Sequence, residues 1–305
     1  GNGTVLSGED AFRLYDTYGF PIDLTKEIVA EKGFDLDEMS FAELMNAQKE
    51  RARKARMSQD DVAWADETLG LAGVKTEFVG YQTLEADGKV IAILVNGQKV
   101  ESAVAGQKAT VVVDKTPFYA ESGGQVADHG TISTQDAEFR VTDVQKTPDG
   151  KILHTGEMVK GGMAVGDSVT ARICTVRRAA IRRAHSAAHL LQAALRSVLG
   201  NHVEQAGSLV EPDRVRFDFT HFSAMTAEEV SQVEALVNEK ILEGLPGTTR
   251  EMPVDEAKKL GAMALFGEKY GETVRVVSFG DFSRELCGGT HLDNTAKVGL
   301  FKITI

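Results

Sequence analysis

Three kinds of hydrophobic pattern follow one another along the chain. From residue 1 to 66 the apolar positions recur at helical spacing. Phe12, Tyr15 and the Gly19–Phe20 pair mark a short helix that Pro21 breaks. Asp23 is placed to cap a second helix, LTKEIVAEKG, which stops at Gly33. Ser40 and Glu43 form a Ser-x-x-Glu box at the head of a third, FAELMNAQKERARKARM, with Phe41, Leu44, Met45 and Gln48 on its partly apolar face. That segment turns polar towards its end, as a connector between domains would.

Between residues 67 and 175 the period shortens. β-Branched runs alternate with EADGK (85–89), VNGQK (95–99), VAGQK (104–108), TPDGK (147–151) and AVGDS (164–168). Read as turns, these predict short strands in a small barrel or sandwich. AGQKATVVV (105–113) echoes VGDSVTARI (165–173), as two edges of one closed sheet would. From 176 to 305 both patterns occur. RRAAIRRAHSAAHLLQAALRSVLG is a helix, with Ala184, Ala188, Leu191, Leu195 and Val198 recurring and Gly200 ending it. A hairpin follows (HVEQAGSLV, turn EPDR, VRFDFTHF), then a helix boxed by Thr226 and Glu229. Strand TTREMPV, short helix DEAKKLGAMALFG, strand TVRVVSF, a CGGTH turn and a final strand VGLFKITI complete the chain. The predicted class is α+β: a helical segment (1–66), a small β-barrel (67–175) and an α+β sandwich (176–305).

Composition narrows this picture. The chain is 305 residues long and 42% hydrophobic, and no apolar run approaches the ~20 residues that span a membrane, so no membrane partner is expected. The start has neither a signal peptide nor an initiator Met, and the last residues stop inside a strand-like run, which suggests a piece of a longer protein. With no export signal, a cytoplasmic setting is expected, with Cys174 and Cys287 as free thiols. The net charge of −11 argues against a dedicated duplex binder. Basic residues are nevertheless clustered in RARKAR (51–56) and RRAAIRR (177–183). Arg177, Arg178, Arg182 and Arg183 are candidate contacts to an RNA backbone; the alternative is a solvated helix face. TPFYAESGGQVADHG (116–130) is either a barrel loop held by its own aromatics or a loop facing a ligand or RNA end.

The candidate chemistry lies in two short motifs. In HSAAH, His185 and His189 stand four apart on one helix face. In CGGTH, two glycines let the backbone turn tightly enough to bring Cys287 and His291 to one point. Together they make a Cys-His₃ set, which suits one tetrahedral Zn²⁺. Four protein ligands describe a closed, structural ion, whereas a catalytic one keeps an open position; His291 is the candidate for a displaceable ligand. Asp281 and Glu285 are near enough in sequence to orient a ligating imidazole. Gln205, at the start of the hairpin, could bond a polar substrate or position a water.

These motifs carry a resemblance. HSAAH, QAGSLV followed by RVRFDF, GAMALFGEKYG, and FSRELCGGTH with KVGLF resemble the editing domain of bacterial alanyl-tRNA synthetases. TPFYAESGGQ resembles the barrel before that domain, and AFRLYDTYGFPIDLT the end of the family's helical tRNA-recognition region. The resemblance covers essentially the whole chain in the family's order. It implies hydrolysis of the ester in mischarged Ser-tRNA(Ala) and Gly-tRNA(Ala). A pocket for alanine excludes glycine and serine poorly, and a second hydrolytic site is one remedy. It implies that His185, His189, Cys287 and His291 hold zinc, that Gln205, Cys287 and His291 are catalytic positions, and that Gln205, Gly288, Gly289 and Thr290 line the substrate pocket. The implied partner is the acceptor end of tRNA(Ala). ATP belongs to an aminoacylation domain before residue 1, and oligomerisation to a region after residue 305. Two alternatives stay open: a free-standing alanyl-tRNA editing protein, against which the helical lead-in argues, and a non-catalytic acceptor-end binding module with structural zinc.

Overall fold

The computed structural model describes residues 5–18, 22–45, 47, 75–263 and 271–304. The chain divides into two compact units, Gly1–Asp66 and Glu67–Ile305. In the first, β1 (Val5–Leu6) pairs in parallel with β2 (Asp35–Leu36), beside helices α1 (Gly8–Tyr18), α2 (Ile22–Glu31) and α3 (38–45). Two expected caps move. α2 already includes Asp23. α3 starts at residue 38, and its cap is Asp37: Oδ1 accepts the Ser40 amide (3.1 Å) and Oδ2 accepts the Ser40 hydroxyl (2.7 Å). A carboxylate at a helix N-terminus also gains from the helix dipole, so Asp37 displaces Ser40 from the cap. The Gly19–Pro21 break, Gln48 and the RARKAR run lie outside the described residues.

The second unit begins with β3 (Glu77–Phe78), β4 (Glu85–Val95), β5 (Gln98–Val100), β6 (Ser102–Val104), β7 (Lys108–Val113), β8 (Lys115–Thr116), β9 (Gly130–Ser133), β10 (Glu138–Lys146), β11 (Ile152–Lys160), β12 (Gly162–Ala164) and β13 (Ser168–Ile173). Six of these close a barrel in the order β13-β9-β10-β11-β7-β4, with β4 returning to β13. EADGK is therefore not a turn. It is the first half of β4, and residues 85–89 pair with 168–172 of β13 to shut the barrel. The echoed segments give β7 and β13, which flank β4 on its two sides. Val90, Ile93, Val111, Ile132, Phe139, Val141 and Met158 fill the interior. The loop aromatics join this core: Phe118 is fully buried and Tyr119 nearly so. They are thus not exposed stacking platforms.

The next layer is built on α4 (Thr175–Leu199), whose residues 184–191 are all buried. A helix covered on all sides at its middle is a central element, not a surface one. β14 (Gln205–Glu211) and β15 (Arg214–Phe219) form the expected hairpin. α5 (Ala227–Glu243) carries the capping box read from Thr226 and Glu229 and ends on left-handed Gly244. β16 (Gly247–Pro253), β17 (Thr273–Phe279) and β18 (Ser283–Leu286) make an antiparallel sheet with β17 central. Leu190, Leu191, Ala194 and Leu195 of α4 pack with Val233, Val237 and Ile241 of α5 and with Val277 and Phe279 of β17. The short helix α6 is confined to Val254–Lys259. The predicted last strand is absent among the described residues: a 3₁₀ turn at Thr295–Val298 leads into an irregular segment. Side chains of α5 take the place of a partner strand. Asn238 pairs with the amide and carbonyl of Phe301, and Glu234 accepts the Ile303 amide.

Candidate metal centre

His185 and His189 stack one turn apart on the buried middle of α4, with ring centroids 5.4 Å apart. β18 stops at Leu286, and the next five residues fold over these rings. Gly289 is what permits the approach: a Cβ there would overlap the His185 ring. One donor atom from each of His185, His189, Cys287 and His291 lies within 4.8 Å of the others, a group that could hold a metal ion. The Cys287 Sγ is 3.5 Å from His185 Nε2 and 3.2 Å from His291 Nε2.

The surroundings decide which nitrogens face this point. Gln125, fully buried in the barrel loop, accepts the Thr290 amide on Oε1 (2.9 Å) and gives its Nε2 to Thr290 Oγ1 (3.0 Å). The same Oε1 lies 2.7 Å from His185 Nδ1. An oxygen already accepting from a backbone N–H must be met by an N–H from the ring, so His185 carries its proton on Nδ1 and offers a free Nε2. Glu285 does the same for His189, accepting from Nδ1 at 2.6 Å. His189 Nε2 is then a buried nitrogen with no hydrogen-bond partner among the described residues, as a metal-facing atom would be. Ser186 lies 3.3 Å from His291 Nδ1 and accepts the Leu292 amide. The expected partner role of Glu285 thus has a geometry, whereas Asp281 is fully exposed and faces Arg284.

Charge acts in the same sense. Burial opposes the Cys287 thiolate, but His291, His185 and His189 outweigh it and hold the thiol well below its ordinary value. Burial lowers the His291 pKa well below its usual range, with Cys287 working against it. For His189 burial again opposes the charged form, yet Glu285 and Cys287 prevail and raise its pKa. The site therefore favours one positive charge among its donors, a proton or a metal ion in its place.

A cavity of ≈ 370 Å³ opens on this cluster. Gln205, Ser208, Tyr119, Gly288 and Gly289 help to line it beside Cys287 and the α4 histidines. β14 reaches it by docking on the barrel loop: the Val210 amide bonds Gly124 O, and the Val126 amide bonds Val210 O. Gly124 has φ +82°, and a side chain there would meet Ser208. Two residues brace the opposite rim. Tyr81 donates its hydroxyl to Gly288 O. Arg275 lies over the Tyr81 ring at 3.9 Å and bonds Cys287 O (3.1 Å) and Gly289 O (2.7 Å).

Comparison with known proteins bears on this arrangement. Residues 1–177 match the family described as tRNA synthetases class II (A). Residues 274–304, which carry β17, β18 and Cys287–His291, match the threonyl and alanyl tRNA synthetase second additional domain. The chain belongs to the alanyl-tRNA synthetase family. It is 53% identical to an alanine–tRNA ligase of Pelotomaculum thermopropionicum over 98% of its length and 34% of that protein's. It is 53% identical to alanine–tRNA ligase 1 of Lachnoclostridium phytofermentans over 99% of its length and 35% of that protein's, and 54% identical to an alanine–tRNA ligase of Acetivibrio thermocellus over 98% and 34%. The chain thus spans about a third of the length of the curated relatives it matches.

Within this synthetase-family chain the remaining expected residues divide. Thr290 is buried against Gln125 and belongs to the wall of a second cavity, not to that of the first. The four arginines do not form one RNA-facing patch. Arg178 is 1% exposed and donates to Asp128, Gly80 O and Pro117 O, so it cannot reach a nucleic acid. Arg177 bonds Ala127 O, and Arg183 bonds Asp213. Arg182 has no hydrogen bond or ion pair among the described residues, and its Nε is buried. Four site residues escaped sequence reasoning: Gln125, Ser186, Tyr81 and Arg275. Gln125 and Ser186 sat inside motifs already singled out, TPFYAESGGQ and HSAAH. Tyr81 and Arg275 had no signal of their own. Cys174 and Cys287 are both free thiols, and no helix among the described residues is long and apolar enough to cross a membrane.

Proposed function

We propose that this chain is the editing part of an alanine–tRNA ligase, working in the cytoplasm, with residues 67–175 as its barrel and 176–305 as its deacylating core. It hydrolyses the ester that joins serine or glycine to tRNA(Ala). The observation that carries the reading is the convergence of His185, His189, Cys287 and His291 on one point, the first three of them lining a cavity that Gln205 also lines. Zinc suits the donor set. Bonds of roughly 2.0–2.3 Å to nitrogen and thiolate place neighbouring donors about 3.3–3.7 Å apart, close to the 3.5 and 3.2 Å from Cys287 Sγ to the two imidazoles. Bound there, zinc would supply Lewis-acid polarisation or orientation of the substrate.

The chain's own groups do the rest. Gln205 donates its amide to Ser208 at 3.0 Å, which aims its carbonyl oxygen as an acceptor for the substrate's α-ammonium or for a water. Gly288 and Gly289 line the cavity with backbone alone, and Gly289 lets that wall close onto the His185 ring. The low-lying Cys287 thiol keeps a negative charge among the donors, and Gln125 and Glu285 hold the rings of His185 and His189 in one orientation.

A second reading has an observation of its own. Four protein donors close a tetrahedral ion, as in structural sites, and a module that only holds the acceptor end would need no more. One assay separates the two. The chain is incubated with Ser-tRNA(Ala) and Ala-tRNA(Ala) at high tRNA and low salt, where an acidic protein still binds RNA. Selective loss of serine, abolished in a folded Cys287→Ala variant, is expected. Equal or negligible loss from both favours the binding module.

A further inference from the structure

Behind the Cys287–His291 loop lies a second cavity of ≈ 360 Å³. Tyr81, Gln82, Arg182, Thr249, Arg275 and His291 contribute to its wall, and Arg275 lines the first cavity as well. The two hollows therefore share one guanidinium and are separated by one loop. Arg182 is unusual among the four arginines at the start of α4. The other three have partners in the protein, and Arg182 has none among the described residues, although its Nε is shielded from water. A guanidinium does not shed its proton, so this is a half-desolvated positive charge with no hydrogen-bonded carboxylate of its own. Burial and the neighbouring Arg178 disfavour that charge; Asp128, already paired with Arg178, and Asp293 favour it without bonding it. Asp293 also lines the cavity, but it is exposed and engaged by Lys297 at 2.6 Å. The Arg275 side chain commits one nitrogen to Cys287 O and Gly289 O and makes no other hydrogen bond among the described residues. Glu251 also lines the cavity but is exposed, where water screens it.

We propose that the second cavity is an anion subsite for a phosphodiester of the RNA acceptor end, held by Arg182 with Arg275 beside it. The inference rests on the reading of the first cavity as the aminoacyl pocket and adds where the strand leading to the ester lies. An ester in the first cavity and a backbone phosphate in the second are two parts of one ligand that passes the Cys287–His291 loop. Planar guanidinium forks suit phosphate oxygens, and Gln82 and Thr249 can bond a ribose or a base edge.

The test uses the 305-residue chain and an uncharged RNA hairpin of the acceptor stem with its single-stranded CCA end. Binding is followed by fluorescence anisotropy across a salt series, with the same hairpin lacking CCA and with AMP as further arms. Arg182→Gln is expected to weaken binding of the full hairpin roughly tenfold, the loss of one charge-assisted contact, and to bring it to the level of the trimmed hairpin. The salt slope should shallow by about 0.7, the share of one single-strand phosphate. Arg182→Lys should keep the slope, and zinc content measured by atomic absorption should match wild type in both variants. Unchanged affinity and slope in Arg182→Gln, with the hairpin still bound, overturns the subsite and leaves the aminoacyl reading standing. Arg182-dependent binding of AMP as tight as that of the hairpin also overturns it, in favour of a free nucleotide. If wild type binds no hairpin, the acceptor-end reading fails and the subsite with it.

Discussion

The Thr290 amide decides the chemistry of a residue it never touches. It requires an oxygen from Gln125, that oxygen requires an N–H from His185, and the other ring nitrogen is left bare for the donor cluster. Gln125→Ala should therefore lower metal affinity about 10- to 100-fold, the usual cost of losing such a partner, with the circular dichroism unchanged; chelator competition measures it. Inside the barrel, His154 is held the opposite way. Its Nδ1 donates to Val111 O, and its Nε2 accepts from Thr116, whose hydroxyl takes the Phe118 amide in turn. Burial drives its pKa down to about 4. The unfolded chain takes up that proton first, near pH 6.5, so the stabilisation is complete above pH 6.5 and is lost as the pH falls to 4. About 3 kcal/mol is at stake. Urea midpoints at pH 7, 5.5 and 4 should fall more steeply for wild type than for His154→Leu/Thr116→Val, and parallel curves would exclude the effect. At this scale the sequence was legible wherever partners are neighbours. HxxxH and CGGTH announce themselves by spacing, and Glu285 by closeness to Cys287. Gln125 and His185 are 60 residues apart, and nothing local to either reports the bond between them.

α4 is held to the barrel by a desolvated ion pair. Arg178 and Asp128 are each 1% exposed, and Asp128 also accepts the Tyr119 amide at 2.8 Å. Removing one partner strands the other charge, so Asp128→Ala should cost about 3–5 kcal/mol in chemical denaturation, whereas Asp128→Leu/Arg178→Met should be far milder. The arginine run before the histidines was read from its charge, and charge alone does not say whether a cation faces water, RNA or a buried carboxylate. Elements with local signals were legible: α4 from its period and Gly200, α5 from its capping box. Two were not. EADGK has the composition of a turn, but it belongs to a strand because β13 comes round to pair with it. VGLFKITI alternates like a strand, yet Asn238 and Glu234 of a helix supply its bonds, and no pattern within eight residues encodes that. Asn238→Leu should leave the Phe301 amide exposed to fast hydrogen exchange while the amides of α5 stay protected.

Across residues 67–305 the barrel and the layer after it meet at several independent points: Arg178 with Asp128, Gln125 with His185, Tyr81 with Gly288, and β14 with the Gly124 loop. Calorimetry should accordingly show one transition for this unit, not two. Zinc at about a thousand times its dissociation constant should raise that single transition's stability by about 4 kcal/mol, and Cys287→Ala should remove most of the gain; two peaks, only one of them metal-sensitive, would contradict a shared unit. The mixed α/β class and the barrel were legible from pattern, but the junction was not, since every bond across it joins segments far apart in sequence. The Gln125–His185 bond has a last consequence, for how such a site can be inherited or transplanted. The four donors look like two portable motifs, yet one of their rings takes its proton position from the barrel loop. A graft of HSAAH and CGGTH onto another scaffold would carry the ligands without the acceptor that sets one of them. In this chain the centre as built therefore includes the barrel loop, and the two motifs moved without it would leave the His185 ring free to turn.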